Sequence, residues 1–91
     1  MMNCYVIDNT YRLAQFYKTD ISKVENMLGV HVGYFSRLLR LGKLPKLELV
    51  LQLCEWYGCS LDFICFKRLL YKDNQTIEAL LREEREKHYE G

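Results

Sequence analysis

The chain has 91 residues, 49% of them hydrophobic and 27% charged, with a formal net charge of +1. That suffices for one domain with a modest core and is too apolar for a disordered tail, and it leaves no room for a separate sensor or catalytic domain. No apolar run approaches the roughly 20 residues of a membrane span, and "MMNCYVIDNTYR" lacks a basic start followed by an apolar run, so a cytoplasmic protein without membrane contact is expected.

Period-2 runs of β-branched residues are missing and helical spacing recurs along the chain, which predicts an all-α fold. A first helix is expected near 9–17, with Leu13, Phe16 and Tyr17 on its apolar side. A second follows at about 21–28, capped by Asp20, carrying Val24, Met27 and Leu28, and stopped by Gly29. The third is expected at about 32–41, with His31 at its N-cap and Gly42 after its end. At about 100° per residue, Phe35, Leu38 and Leu39 share one face, with Val32 a turn before them, while Gly33, Arg37 and Arg40 fall opposite. Pro45 opens a fourth helix reaching Tyr57, with Leu47, Val50, Leu51 and Cys54 as its core side. Ser60 caps a fifth running to about Leu70, and Asp73 or Asn74 starts a last one that reaches toward His88.

Charge is unevenly spread. Residues 1–18 carry +1, residues 19–72 carry +3 and residues 73–91 carry −3. From His31 to Lys46 there are four basic residues (Arg37, Arg40, Lys43 and Lys46) and no acid, the local footprint expected of a polyanion-binding face. Cys4, Cys54, Cys59 and Cys65 include no C-x2-C pair, so free thiols are expected, with no metal and no cofactor. No nucleophile, base and orienting group fall into a catalytic pattern, and no glycine-rich phosphate loop is present, so an enzyme is not expected.

The stretch "DISKVENMLGVHVGYFSRLLRLGKLPKLELVLQLCEWYGCSLDFI" resembles the helix-turn-helix domain of phage repressors, the Cro-like or xenobiotic-response-element family of transcription regulators. The likeness rests on "LGV" before the turn, "FSR" in the third helix, a proline nine residues after that serine, and "LELVLQLCEWYGCSLD" behind it. It implies a compact five-helix, lambda-repressor-like helix-turn-helix domain over 1–72, with a charged C-terminal helix at 73–91. It also implies a sequence-specific double-stranded-DNA-binding regulator, a dimeric repressor whose third helix enters the major groove. Base-reading positions then fall on His31, Val32, Gly33, Tyr34 and Arg37, the arginine suited to a guanine edge. Phosphate contacts fall on Ser22, Lys23, Arg40, Lys43 and Lys46. Ser36 is expected to pack against the second helix. Three positions depart from the family pattern: Ile21 where glutamine is common, Leu39 where glutamate is usual, and Leu41 where glycine is usual.

In the C-terminal segment Leu69, Leu70, Ile77, Leu80 and Leu81 exceed the needs of a small core, so a homodimer contact is expected there, or a protein partner for the last helix. Pairs Glu78–Arg82 and Glu83–Lys87 would lace its exposed side. The rival reading is a protein-interaction module on the same fold, antitoxin-like or an inhibitor protein, whose basic face meets an acidic partner.

Overall fold

The first helix buries a polar residue at its centre. In the computed structural model, which describes residues 4–90 with side chains as far as Lys87, α1 spans Val6–Phe16. It turns Val6, Ile7, Thr10, Leu13 and Ala14 inward. The Thr10 hydroxyl is satisfied locally, donating to the Val6 carbonyl at 2.7 Å. Asn9, 0% exposed, is satisfied across the fold instead. Its Nδ2 donates to the carbonyls of Ile64 (2.8 Å) and Lys67 (2.6 Å), and its Oδ1 accepts the N–H of Leu69 (3.1 Å).

Those three backbone groups lie where α5, Leu61–Phe66, ends, and they explain the early stop. The sequence pattern carries α5 on to Leu70, but Lys67 turns extended (φ −75°, ψ 136°) and Asn9 takes up the released polar groups. Two further ties flank this one. The Tyr5 N–H donates to the Cys65 carbonyl at 2.6 Å, and Arg12 donates to the Lys72 carbonyl (2.9 Å) and to Asn74 Oδ1 (2.7 Å).

The remaining elements are α2 Ile21–Leu28, α3 Tyr34–Leu41, α4 Leu47–Tyr57 and α6 Asn74–Glu90, and no strand occurs among the described residues. Asp20 caps α2 by accepting the Lys23 N–H at 3.0 Å, and Gly29, at φ 78°, closes it in the left-handed region where a Cβ is costly. On α4 the buried strip is Val50, Leu53, Cys54 and Tyr57. Leu47 and Leu51, expected in the core, stand exposed because the strip centres between Leu53 and Cys54 and leaves them on its flank.

The last helix belongs to the same body as the rest. Asp73 caps it through the Thr76 N–H (2.8 Å), and Ile77 and Leu81 enter the shared core with Leu13, Leu53 and Ile64. This corrects the dimer expectation at three positions. Leu69, Ile77 and Leu81 are buried in the protein's own interior, Leu80 is half-buried, and Leu70 is exposed. Glu84 accepts the N–H and the hydroxyl of Ser60 (3.0 and 2.8 Å), and Arg85 donates to the Tyr17 hydroxyl at 3.0 Å. The Glu78–Arg82 pair forms at 3.4 Å, but Lys87 reaches Glu84 (3.8 Å) rather than Glu83. Residues 1–3 and 91, and the His88 side chain, lie outside what the structure describes.

Burial pushes the Glu84 carboxyl up, yet the two Ser60 hydrogen bonds, with Lys87 and Lys67, outweigh it and leave it below the usual range. Asp20 is lowered by the Ser22 hydroxyl and the Lys23 N–H, and Asp73 by the hydroxyl and N–H of Thr76. Each group stabilises the fold only while ionised. That stability is present above the unfolded carboxylate range, about pH 4, and drains away as pH falls through the lowered folded values.

Two outcomes follow. Asn9→Ala strands three backbone groups and should cost about 2–4 kcal/mol in urea unfolding. Glu84→Gln should unfold with a smaller loss of urea midpoint than the wild type when both are taken from about pH 6 to about pH 3.

Candidate nucleic-acid interface

A buried carboxylate positions this face. Glu25, on α2 and 1% exposed, aims both oxygens at the start of α3. Oε1 accepts the Gly33 N–H at 3.0 Å and Oε2 the Phe35 N–H at 2.9 Å. Two otherwise unpaired donors at a helix start are thereby met by one ionisable group, at the positive end of the helix dipole. Burial first, and the Glu25 carboxylate second, push the nearby Tyr11 phenol up from its ordinary value.

This arrangement shifts the start of α3. His31 does not cap it; Gly33 does, at φ 96° in the left-handed region, and the helix begins at Tyr34. His31 and Val32 therefore lie in the five-residue connection 29–33, both exposed. The expected placement of Val32 on the apolar stripe fails for the same reason. Phe35, 0% exposed, is the anchor, and Leu38 is half-buried beside it. Leu39 is 50% exposed, because it lies about 70° from the centre of the Phe35–Leu38 strip and no other element covers it. Ser36 is exposed too, its hydroxyl donating to the Gly33 carbonyl at 3.1 Å instead of packing on α2. Tyr34 is half-buried, its ring edge-on to His31 (6.2 Å between centroids) and to Phe35 (5.3 Å).

The cations stand free. Arg37, Arg40, Lys43 and Lys46 are exposed, and among the described residues none of them forms an ion pair or a side-chain hydrogen bond. Arg40 lies opposite the Phe35–Leu38 strip, with Arg37 on one flank, and Lys43 and Lys46 continue into the loop before α4. Among the described residues no acid of α6 pairs with them: Glu78 and Glu84 pair within α6 or with Ser60.

The start of α2 is less suited to an anion than the sequence suggests. Asp20 holds the Lys23 N–H and also accepts the Ser22 hydroxyl at 2.6 Å. A carboxylate thus sits where a phosphate would dock, and only the exposed Lys23 ammonium remains to meet one. The sequence pattern does not single out Glu25. Its signal was a lone acid on the buried strip of α2, three residues before Leu28 and four after Ile21.

Cys54 and Cys59 are buried in the core, and Cys4 and Cys65 pack partly buried against it. Burial pushes the Cys59 thiol up to about 12 and raises Cys54 and Cys65, so at neutral pH they are protonated. No group of three or more potential metal ligands clusters among the described residues. No helix among them is long and apolar enough to cross a membrane. No family model, curated protein or solved structure matches this chain.

Removing the buried cap should loosen this face before any other. Glu25→Ala leaves the Gly33 and Phe35 N–H groups without an acceptor and should cost about 3 kcal/mol. Amide exchange should accelerate most at 33 and 35. Glu25→Gln keeps one acceptor oxygen and should lose about half as much.

Proposed function

We propose that the chain is a sequence-specific double-stranded-DNA-binding transcription regulator, with α2 and α3 as the helix-turn-helix pair of a Cro-like domain and α3 as the recognition helix. One observation carries the reading: the guanidinium groups of Arg37 and Arg40 project from a short helix anchored by Phe35, with no carboxylate among the described residues paired to them. A helix so presented can lie in a major groove, with the cations of the following loop against the flanking phosphates. The exposed His31 and Val32 side chains lie in the α2–α3 connection just before that helix, which supports a role in meeting base edges.

Arg37 is assigned to guanine O6 and N7, Arg40, Lys43, Lys46 and Lys23 to phosphates, and Val32 to a thymine methyl. Ser22 drops from the phosphate set because its hydroxyl is spent on Asp20. Repression by a dimer on a palindromic site completes the proposal, with two α3 helices about 34 Å apart in successive major grooves. Of the residues first assigned to the dimer contact, Leu70 and Leu80 remain at or near the surface to serve it.

The rival reading, a protein-interaction module, is favoured by the exposed Leu39 and Leu41 on either side of Arg40. Duplex binding separates the two. Under the DNA reading, a mixed-sequence duplex binds and weakens steeply with salt, and Lys46→Ala lowers the slope of log affinity against log salt by about 0.9. A site selected from a random pool should lose about 1–3 kcal/mol of preference at one base pair in Arg37→Ala. Absence of binding at low ionic strength would refute it.

A further inference from the structure

We infer that the leucine belt at 39–51 docks an acidic amphipathic helix of another protein. Five leucines within these thirteen residues (Leu39, Leu41, Leu44, Leu47 and Leu51) are 49–61% exposed, more apolar surface than a single stray side chain accounts for. Leu41 leaves α3 on the far side of Arg40 from Leu39, and the other four fall into two pairs. Leu39 and Leu44 line one groove of about 170 Å³ between the start of α1 and the end of α3, with Ile7 and Leu38 at its sides. Leu47 and Leu51, one turn apart, share a strip of α4. Arg40, Lys43 and Lys46 are interleaved with them, exposed and without an ion pair among the described residues.

Apolar anchors within a cationic rim fit a helix whose leucine-like side chains enter the groove while its carboxylates face the cations. Asp8, on the α1 wall of the groove, and the exposed Glu48, next to Leu47 in the chain, repel acids, so that helix carries its carboxylates on the edge toward Lys43. Other occupants fit less well. A second copy meeting this face by a two-fold axis would set the three cations against themselves. The acidic α6 of a second copy has no apolar strip to offer, since Ile77 and Leu81 are buried in its own core. An anionic bilayer would press on Asp8 and Glu48. DNA phosphates gain nothing from leucine side chains.

The docking does not rest on the DNA reading. Where that reading also holds, Arg40, Lys43 and Lys46 serve both ligands, so partner and duplex exclude one another, and the partner acts as a switch on DNA binding.

The test is selection of binders to the full chain from a displayed library of randomised helices of about 18 residues. The expected winners carry glutamate or aspartate along one edge and a leucine-rich stripe along the other. A synthetic copy of a winner should shift the amide resonances of 39–51. It should bind at least about tenfold more weakly to Leu44→Gln/Leu47→Gln, and also to Lys43→Glu, with the melting curve of each variant unchanged. The inference is overturned if no helix is enriched, if the winners are neutral or basic, or if their shifts map away from 39–51. Two other results also overturn it: leucine-dependent binding to phosphatidylglycerol vesicles without peptide binding, or a dimer that Leu44→Gln/Leu47→Gln dissolves. Duplex titration of the same double variant keeps the two readings apart. Unchanged DNA affinity with lost peptide binding supports the docking, and parallel loss of both with an intact fold overturns the belt as a separate surface.

Discussion

Two N–H···O bonds from α3 to the Glu25 carboxylate hold the exposed face in place. They join adjacent helices through a single rigid group, so the axis of α3 is set relative to α2 and not merely by Phe35 pressing on the core. Without a carboxylate there, the start of α3 would present unpaired donors to a buried space, a costly arrangement that fraying would relieve. The charge is tolerated inside because it meets two backbone donors at a helix N-terminus, where the dipole favours an anion. Everything that the face displays, from His31 to Lys46, takes its direction from that joint.

The electrostatic layout follows from which acids are occupied. Glu25 is turned inward, Asp20 and Asp73 cap helices, and Glu84 is engaged with Ser60. These acids are spent on structure, and α6, which carries half of the other eight, docks by burying Ile77 and Leu81, with none of its described acids paired to the cations. A chain almost neutral overall therefore keeps an uncompensated positive surface along α3 and the loop after it. The same surface is apolar between its charges, and this mixture makes it unlike a merely solvated helix face.

Much of this could be seen in the sequence because local rules governed it. Asp20 and Gly29 delimit α2 at the residues expected, and Ser60 and Asp73 cap as their chemistry suggests. The exposed placement of Arg37 and Arg40 follows from helical geometry around Phe35. Long-range contacts decided the rest. Asn9 ends α5 from 55 or more residues away, and nothing local to "FKRLL" announces it. Glu25 moves the start of α3 by two residues because an acid eight to ten positions upstream can cap it as a neighbour in space. The burial of Leu69, Ile77 and Leu81 was hidden for a related reason: an apolar residue reads the same whether its partner is the protein's own core or a second chain. Leu39, Leu47 and Leu51 show the converse, being apolar residues that the fold does not cover.

The ties between α1 and the 64–74 segment bear on when the molecule can assemble. Tyr5, Asn9 and Arg12 all bond to partners roughly 60 positions later along the polypeptide. A ribosome must have delivered nearly the whole chain before the opening helix finds its seat, whereas the Glu25 joint closes over a span of ten. The central pair can be in register early and α1 can meet α2 at once, but the part of α1 that faces the 64–74 segment stays uncovered until synthesis is almost complete.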